Sequence, residues 1–287
     1  MSSKRILYLF TRTLLHVGAG ASVGAIDQPI IRERHTGFPV IPGTALKGVL
    51  ADEEPFLKKS GSGKWERTDV GREIFGDERT DGENTRAGSV SFGEAKLLAF
   101  PVRSGRGCFA WLTCPIILKR WAREARLSLS LQPDQEPKNN EAYFDKATLG
   151  DKAIFEDYIY VWKGEFPSNG QTGAWLTQLG KVLTDAVWKD SCSKHLALVN
   201  DEALAHFVRA ASEVSQHVRI DDETGTQFHG ALFNQENVPA EALFFAPLVE
   251  LRPGALAKIT PPAVIQIGGD ATTGLGYCSA EMKEVGE

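Results

Sequence analysis

Two glycine-rich segments, one near each end of the chain, limit the folds that this sequence can adopt. An apolar run at residues 6–14 predicts a buried strand, and it leads into a segment that contains Gly18, Gly20, Gly24 and Gly37. The second segment, residues 268–276, lies between a strand-like run at 264–267 and another that begins at Tyr277. Glycine lacks a Cβ atom and tolerates sharp turns and close backbone approach. Both segments are therefore predicted to join strands.

The glycine pattern of residues 268–276 excludes two nucleotide-binding motifs. Gly269 and Gly274 have the spacing of a phosphate-binding P-loop, but Leu275 and Gly276 stand where that motif requires Lys and Ser or Thr. The dinucleotide-binding fingerprint requires a helix after the glycines, whereas the run from Tyr277 predicts a strand. The two interpretations left for residues 268–276 are a structural turn and a close contact with another backbone segment.

The rest of the chain mixes strands with helices. Apolar runs predict strands at 90–92, 97–102 and 108–113, and helical spacing predicts helices at 119–126, 175–187 and 202–214. Another helix is predicted to begin at Ala45, with Thr44 as its N-cap. Because some strands are adjacent in sequence, an α+β fold is favoured over a doubly wound sheet.

Residues 217–239 have the composition of a protruding β-hairpin. Gly225 and Gly230 divide a polar stretch between two strand-like arms, and three apolar residues lie near the tip: Phe228, Leu232 and Phe233. An ordinary surface hairpin, with these residues packed on the protein body, has the same pattern.

Charge is unevenly distributed along the chain. The formal net charge is −5, but the first fifty residues contain six basic and two acidic side chains, a net of +4, so the other 237 carry −9. A local basic face on an acidic body can attract a polyanion, although the distribution also fits an ordinary surface. No apolar run approaches the roughly 20 residues of a membrane span, and no signal peptide is evident. With four dispersed cysteines, the prediction is a cytoplasmic protein without a membrane partner.

Residues 13–48 also contain the side chains that phosphate chemistry needs. His16 precedes the glycines, Asp27 follows them, and positive charge comes from Arg32, Arg34 and Lys47. The helix N-terminus after Thr44 offers free amides to a phosphate. Asp27 suggests a divalent-metal or positioning role in phosphodiester chemistry. A turn-capping Asp27 and a structural His16 remain as alternatives.

Four blocks of sequence carry a family resemblance. They are LHVGAGASVGAIDQPIIRERHTGFPVIPGTALKG (15–48), SFGEAKLLAFPVRS (91–104), HVRIDDETGTQFHGALFNQE (217–236) and IQIGGDATTGLG (265–276). Together, and in this order, they resemble the backbone RAMP subunits of type III-B CRISPR complexes, which are the fourth subunits of Cmr complexes. The helical region before the hairpin favours them over their shorter type III-A counterparts.

The resemblance implies a modified ferredoxin-like (RRM-like) RAMP palm with a helical insertion and a β-hairpin thumb. All 287 residues would form one RAMP domain. Its parts would be a palm at 1–50, 87–113 and 240–287, a helical insertion with loops at 51–86 and 114–216, and a thumb at 217–239.

The resemblance also implies a function. Copies would polymerise head-to-tail into a helical filament along a CRISPR RNA (crRNA), with other Cmr subunits that include the large polymerase-like one. The complex would cleave complementary target RNA at regular intervals, by metal-dependent attack of the target's own 2′-hydroxyl on the adjacent phosphate. The expected cofactor is Mg²⁺ or Mn²⁺.

The resemblance assigns roles to individual residues. Catalysis and metal binding fall to Asp27, with His16 and Glu223 near the cleavage site, and the thumb wedge to Phe228, Leu232 and Phe233. The expected RNA contacts are Lys47, Arg32, Arg34, Gly18, Gly20, Thr44, Gly268, Gly269, Gly274 and Gly276. This sequence has Leu14 where the family often has Pro, and Thr44-Ala45 where Ser-Ser is more usual.

Three other interpretations stay open at this point. The chain could be a catalytically inactive crRNA-binding scaffold in which Asp27 only caps a turn. It could be the equivalent backbone subunit of a type III-A complex. It could also be an enzyme that binds a mononucleotide through its glycine segments.

Overall fold

The fold is built on one large β-sheet, as seen in a computed structural model that describes residues 3–20, 24–77, 86–167, 174–220 and 226–286. Within these ranges the strands are β1 (Lys4–Thr11), β2 (Val40–Ile41), β3 (Leu57–Lys59), β4 (Trp65–Arg67), β5 (Val90–Phe92), β6 (Ala95–Arg103), β7 (Phe109–Thr113), β8 (Glu141–Tyr143), β9 (Lys152–Phe155), β10 (Tyr158–Gly164), β11 (Leu196–Leu198), β12 (Glu213–Ile220), β13 (Gln227–Asn237), β14 (Leu243–Glu250), β15 (Val264–Gln266) and β16 (Tyr277–Glu284). The helices are α1 (Gly43–Ala51), α2 (Asp69–Phe75), α3 (Pro115–Ala125), α4 (Lys146–Leu149), α5 (Ala174–Gly180), α6 (Ala186–His195) and α7 (Asp201–Ala210).

The apolar strand β1 lies inside the sheet. It pairs antiparallel with β14 on one side and with β16 on the other, so that Leu7 lies opposite both Ala246 and Met282. The strand order is β15-β16-β1-β14-β6-β7-β11-β8-β10-β9. From Ile6 to Thr11 every residue of β1 is buried, as expected for an apolar strand covered on both faces.

The far half of the sheet curls back on itself. The Gly105 amide, just after β6, donates to the Ile154 carbonyl of β9 at 3.0 Å, and the Glu156 amide donates to Arg103 at the same distance. Large aromatic side chains fill the interior, among them Trp111, which packs 4.9 Å from Trp188 between ring centroids. Because β9 finds a partner in this way, its backbone groups are not left as an open edge.

The predicted α+β fold class is confirmed, because the helices lie among the strands of one large, mostly antiparallel sheet. The region 114–216, expected to be a helical insertion with loops, also contains strands β8 to β11, which extend the sheet. These strands have only three to seven residues. The division of the chain into palm, insertion and thumb stays a prediction.

Two predicted helices have different bounds. The apolar stripe at 175–187 forms α5 and α6, not one helix, because Asp185 caps α6 by accepting the Val187 amide at 3.1 Å. The helix predicted at 202–214 ends at Ala210, and Val214 belongs to β12. The hairpin of β12 and β13 therefore begins at Glu213, earlier than predicted.

The predicted N-cap role of Thr44 is wrong. Pro42 is the N-cap residue of α1, no side chain caps the helix there, and Thr44 is exposed in its first turn. Among the described residues, no helix is long and apolar enough to cross a membrane.

Two glycines of α1 form a matched pair for a stability test. A Cβ atom on Gly43 would lie 2.2 Å from the Phe92 carbonyl oxygen, whereas one on Gly48 would meet nothing within 4 Å. We expect Gly43→Ala to lower the free energy of unfolding by about 1–3 kcal/mol, because backbone must move. Gly48→Ala should raise it by about 0.5–1 kcal/mol. Urea unfolding of both variants measures this, and equal effects would contradict the close packing of α1.

Candidate functional site

The candidate site is built on the base of the hairpin, at the end of β13. Residues 27–30 lie parallel against this strand, with Gln28 opposite Gln235. The Gln28 amide donates to the Asn234 carbonyl at 3.0 Å, and the Glu236 amide donates to the Gln28 carbonyl at 2.9 Å. The segment after the first glycines is thereby fixed to the hairpin that the sequence placed some 200 residues away.

Asp27 sits at the exposed end of this pairing. Its Oδ2 accepts the Asn234 backbone amide at 2.8 Å, and the residue is exposed to solvent. Within the described part of the chain, no other group donates a hydrogen bond to this carboxylate. Asp27 is therefore oriented by one bond and keeps an oxygen available to a ligand.

His16 lies on the same edge of β13 as Asp27. Its Nδ1 lies 2.7 Å from the Glu236 carbonyl oxygen, and the residue is buried. A carbonyl can only accept, so Nδ1 carries the proton and Nε2 of the neutral ring keeps a lone pair. Asn234 and Glu236 are two residues apart, which separates the two anchoring points by about 7 Å along the strand.

Glycines keep the outer face of the His16 ring uncovered. A Cβ atom on Gly18 would lie 2.9 Å from Nε2, and one on Gly269 would lie 3.8 Å from Cδ2. Gly18 and Gly269 are themselves exposed. A side chain at position 18 would lie against Nε2, the His16 ring nitrogen that has no hydrogen-bond partner among the described residues.

The two glycine segments predicted from the sequence meet at this site. The Gly269 amide donates to the His16 carbonyl at 3.0 Å, and the Gly276 amide donates to the Leu14 carbonyl at 2.7 Å. Gly268 has a φ of +85°, and a Cβ atom there would lie 2.1 Å from the His16 carbonyl oxygen. Gly20 and Gly274 also have positive φ values, but their Cβ positions are open.

A buried amide ties the second glycine segment to the hairpin. Gln235 is 2% exposed, and its Nε2 donates to Asp270 Oδ2 at 2.7 Å. Asp270 lies inside the glycine segment with a φ of +60°. Consecutive residues of β13 therefore contact Asp27, Asp270 and His16 in turn.

The predicted RNA-binding cations differ in their surroundings. Arg32 is engaged within the chain, because its Nη2 donates to Glu236 Oε1 at 2.6 Å and to Ser212 Oγ at 2.9 Å. Arg34 is exposed and Lys47 is half-buried, and neither forms an ion pair with any described residue. As far as the described residues go, the charges of Arg34 and Lys47 are therefore available to a polyanion, whereas Arg32 holds the site together.

Glu33 anchors the loop that carries Arg34. Its carboxylate is buried and accepts hydrogen bonds from Arg120 Nη1 at 2.9 Å and from Thr36 Oγ1 at 2.6 Å. Burial by itself raises the pKa of Glu33, but the bonds from Thr36 and Arg120 and the charges of Arg120 and Lys96 outweigh it. The net result is a lowered pKa, so Glu33 is ionised at neutral pH.

Parts of the predicted site lie outside the described residues. Glu223 belongs to the undescribed 221–225 segment, and Phe228 is in β13 but its side chain is not described. Leu232 is exposed, and half-buried Phe233 stacks on His217 with ring centroids 5.1 Å apart. The roles given to these residues stay predictions.

The residues that assemble the site, Asn234 to Asn237, were not predicted from the sequence. Within this run Gln235, Glu236 and Asn237 are all buried. The available signal was a run of four polar residues in a strand, without the apolar alternation of a half-buried one. Such residues are buried only when partners bond to them.

The comparisons with known proteins agree with the family resemblance found in the sequence. Residues 9–279 match the RAMP superfamily. The CRISPR system Cmr endoribonuclease Cmr4 of Pyrococcus furiosus is 33% identical over 295 aligned positions, which cover 96% of this chain and 95% of that protein.

Solved structures share the fold. The crystal structure of oligomeric Cmr4 from Pyrococcus furiosus superposes with a TM-score of 0.70 at 24% identity, covering 100% of both chains. A cryo-EM structure of the type III-B Cmr-beta complex bound to cognate target RNA contains a chain with a TM-score of 0.71 at 20% identity, covering 97% of this chain and 96% of that one.

The ionised state of Glu33 should be visible in the pH dependence of stability. A lowered pKa adds stability above the unfolded-state value of 4.5, and that stability is lost as the pH falls below it. We expect Glu33→Gln to lower the free energy of unfolding by about 1–3 kcal/mol at pH 7, with a smaller difference from wild type in acid. Glu94→Gln, at an exposed position, is the control. A difference that does not depend on pH would contradict this account.

Proposed function

The chain belongs to the RAMP superfamily, and on this basis we propose that it is a backbone subunit of a type III-B CRISPR effector complex and an endoribonuclease acting on target RNA. Its family relationship to the Cmr4 endoribonuclease extends over 96% of the chain. Its proposed partners are crRNA, complementary target RNA and further copies of itself in a head-to-tail filament. Other Cmr subunits, including the large polymerase-like one, complete the complex, and its location is the cytoplasm.

The observation that carries the nuclease proposal is the position of Asp27. The carboxylate is exposed, is oriented by the Asn234 amide, and lies at the base of the hairpin proposed to distort the target. His16 is bonded through Nδ1 to the same edge of β13, and its Nε2 lies close to the exposed Gly18. An oriented acid and an imidazole ring held on the same strand edge suit proton transfer during phosphodiester cleavage.

The proposed reaction uses a hydroxyl group of the target itself. The 2′-oxygen forms a bond to the adjacent phosphorus, and the bond from phosphorus to the 5′-oxygen breaks. The products are a 2′,3′-cyclic phosphate and a 5′-hydroxyl. His16 Nε2 accepts the proton from the 2′-hydroxyl, Asp27 orients that hydroxyl, and the leaving 5′-oxygen takes a proton from water.

The hairpin would supply the geometry of attack. Leu232 projects an exposed apolar side chain, which suits a wedge between stacked bases. A displaced base lets the sugar turn until the 2′-oxygen, phosphorus and leaving oxygen are in line. Such positioning contributes up to about 7–11 kcal/mol in well-oriented intramolecular reactions.

A divalent metal ion, Mg²⁺ or Mn²⁺, is part of the proposal. The described residues contain no group of three or more His, Cys, Asp or Glu side chains that could enclose one. A single carboxylate fits the way Mg²⁺ is often bound, through one or two carboxylates together with substrate phosphates and water. Asp27 would hold the ion, which when bound would supply positive charge against the phosphate.

Binding without catalysis is the strongest competing function. The hydrogen bond from Asn234 to Asp27 is also what a turn-capping aspartate makes, so a scaffold role fits the same geometry. In a type III-A complex the same chemistry would operate. An enzyme that acts on mononucleotides differs from both in its binding, since a single nucleotide would saturate its site without a longer RNA chain.

Replacing Asp27 separates catalysis from binding. In the assembled complex, we expect Asp27→Asn to lower single-turnover cleavage of target RNA by at least about 100-fold and to leave target binding unchanged, because a neutral amide holds a divalent cation more weakly than a carboxylate and removes the negative charge that orients the 2′-hydroxyl. Asp190→Asn, which removes an exposed carboxylate of α6, is the control. Cleavage at the wild-type rate by Asp27→Asn would reject the nuclease assignment and leave the scaffold.

Lys47 provides a test of whether the RNA backbone passes over the N-terminal end of α1. Its charge lies in the first turns of α1 with no partner among the described residues. If it contacts the RNA backbone, Lys47→Ala should weaken RNA binding equally for different sequences and lower the salt slope of affinity by about 1. Lys152→Ala, on β9, is the control. Equal salt slopes for both variants and wild type, or saturation by a mononucleotide, would contradict the proposed path.

A further inference from the structure

Glu236 is a buried charge at the centre of the candidate site. The residue is 6% exposed, although it lies in a strand and bears a carboxylate. Both oxygens are bonded, Oε1 to Arg32 Nη2 at 2.6 Å and Oε2 to the Ile30 amide at 3.1 Å. A charge in such a place is costly unless it is paired and fully hydrogen-bonded. Both conditions are met here, which makes an accidental ion pair a poor explanation.

The backbone carbonyl of Glu236 also takes part in the site, because it bonds to His16. If the parallel pairing of residues 27–30 with β13 continued regularly, the Ile30 amide would donate to the Glu236 carbonyl. His16 Nδ1 occupies that carbonyl instead, at 2.7 Å. The Ile30 amide bonds to the Glu236 side chain, so the carboxylate replaces the acceptor that His16 has taken.

We propose that Glu236 is a positioning residue that sets the geometry of both candidate catalytic groups. Its carbonyl fixes the protonated nitrogen of His16, and its carboxylate fixes Ile30 and Arg32, just after Asp27. The inference rests on the proposed nuclease function and adds a residue that does not touch the RNA. It also gives Arg32 a different role, that of an internal clamp.

The chemistry of the side chain predicts which substitution breaks this arrangement. A glutamine at position 236 keeps one oxygen, which can satisfy either the Ile30 amide or Arg32 but not both. Its amide nitrogen would face a donor, either the guanidinium or the backbone N–H. The backbone carbonyl that holds His16 remains, so His16 should stay anchored while the segment carrying Asp27 loosens.

The test uses the assembled complex with Glu236→Gln, Arg32→Gln and the double variant. The control is Glu213→Gln, which removes the same charge from an exposed position on the same hairpin. Three quantities are measured: single-turnover cleavage at saturating target RNA, the affinity for target RNA, and hydrogen exchange of residues 24–36 in the free protein. Thermal melting of each variant checks that it is folded.

We expect Glu236→Gln to lower cleavage by roughly 100-fold, the scale of a misplacement by about 1 Å, with unchanged RNA affinity. Exchange at the Ile30 amide should accelerate, and the double variant should lose less cleavage than the product of the two single losses, since both changes act on the Arg32–Glu236 ion pair. Glu213→Gln should match wild type in all three measurements.

Two results would overturn the inference. One is wild-type cleavage by Glu236→Gln, and the other is a loss of cleavage that only follows a loss of RNA affinity or of folded protein. Asp27→Asn, measured alongside, identifies which proposal has failed. If it is inactive while Glu236→Gln is active, only the role of Glu236 is lost; if both are active, the nuclease proposal itself fails.

Discussion

Buried polar groups at the base of the β12–β13 hairpin determine how the rest of the site is arranged. Gln235, Glu236 and Asn237 lie in the protein interior, and each must find a hydrogen-bonding partner there. The partners come from distant parts of the chain, Arg32 in the first glycine-rich segment and Asp270 in the second. The hairpin base is thus the point where the segments proposed to contact RNA are held together.

The glycines have two separate functions in this arrangement. Gly268 and Gly276 are required by the protein itself, because a Cβ atom there would lie about 2 Å from a carbonyl oxygen, at 2.1 and 2.0 Å respectively. Gly20 and Gly274 meet no described atom at their Cβ positions, so only their positive φ values, +85° and +90°, favour glycine there. Gly18 stands between the two groups, since it leaves His16 Nε2 uncovered. A glycine-rich sequence motif therefore combines structural necessity with access for a ligand.

The sequence predicted the α+β fold, the apolar strand that became β1 and the strands on either side of the second glycine segment, but not that the two glycine segments meet. It placed Asp27 and His16 in one candidate site, and the structure places both against β13. It did not predict strands β8, β9 and β11, because three or four residues give too short an apolar pattern to recognise, nor the seven-residue β10, whose burial does not alternate regularly. It also missed Glu236, because the partners of a buried carboxylate are distant in sequence. From the sequence alone, Arg32 cannot be distinguished from an exposed arginine, because its partner Glu236 lies 204 residues further along the chain.

The central claim is that the base of β13 holds Asp27 and His16 against the target linkage. A cryo-EM structure of the complex with a target carrying 2′-deoxyribose at the cleaved position would test it directly. The account predicts that the 2′ carbon of that nucleotide faces His16 Nε2 and the Asp27 carboxylate, with Asp27 still bonded to the Asn234 amide. A scissile phosphate that lies away from both residues, with Asp27 serving only Asn234, would contradict it.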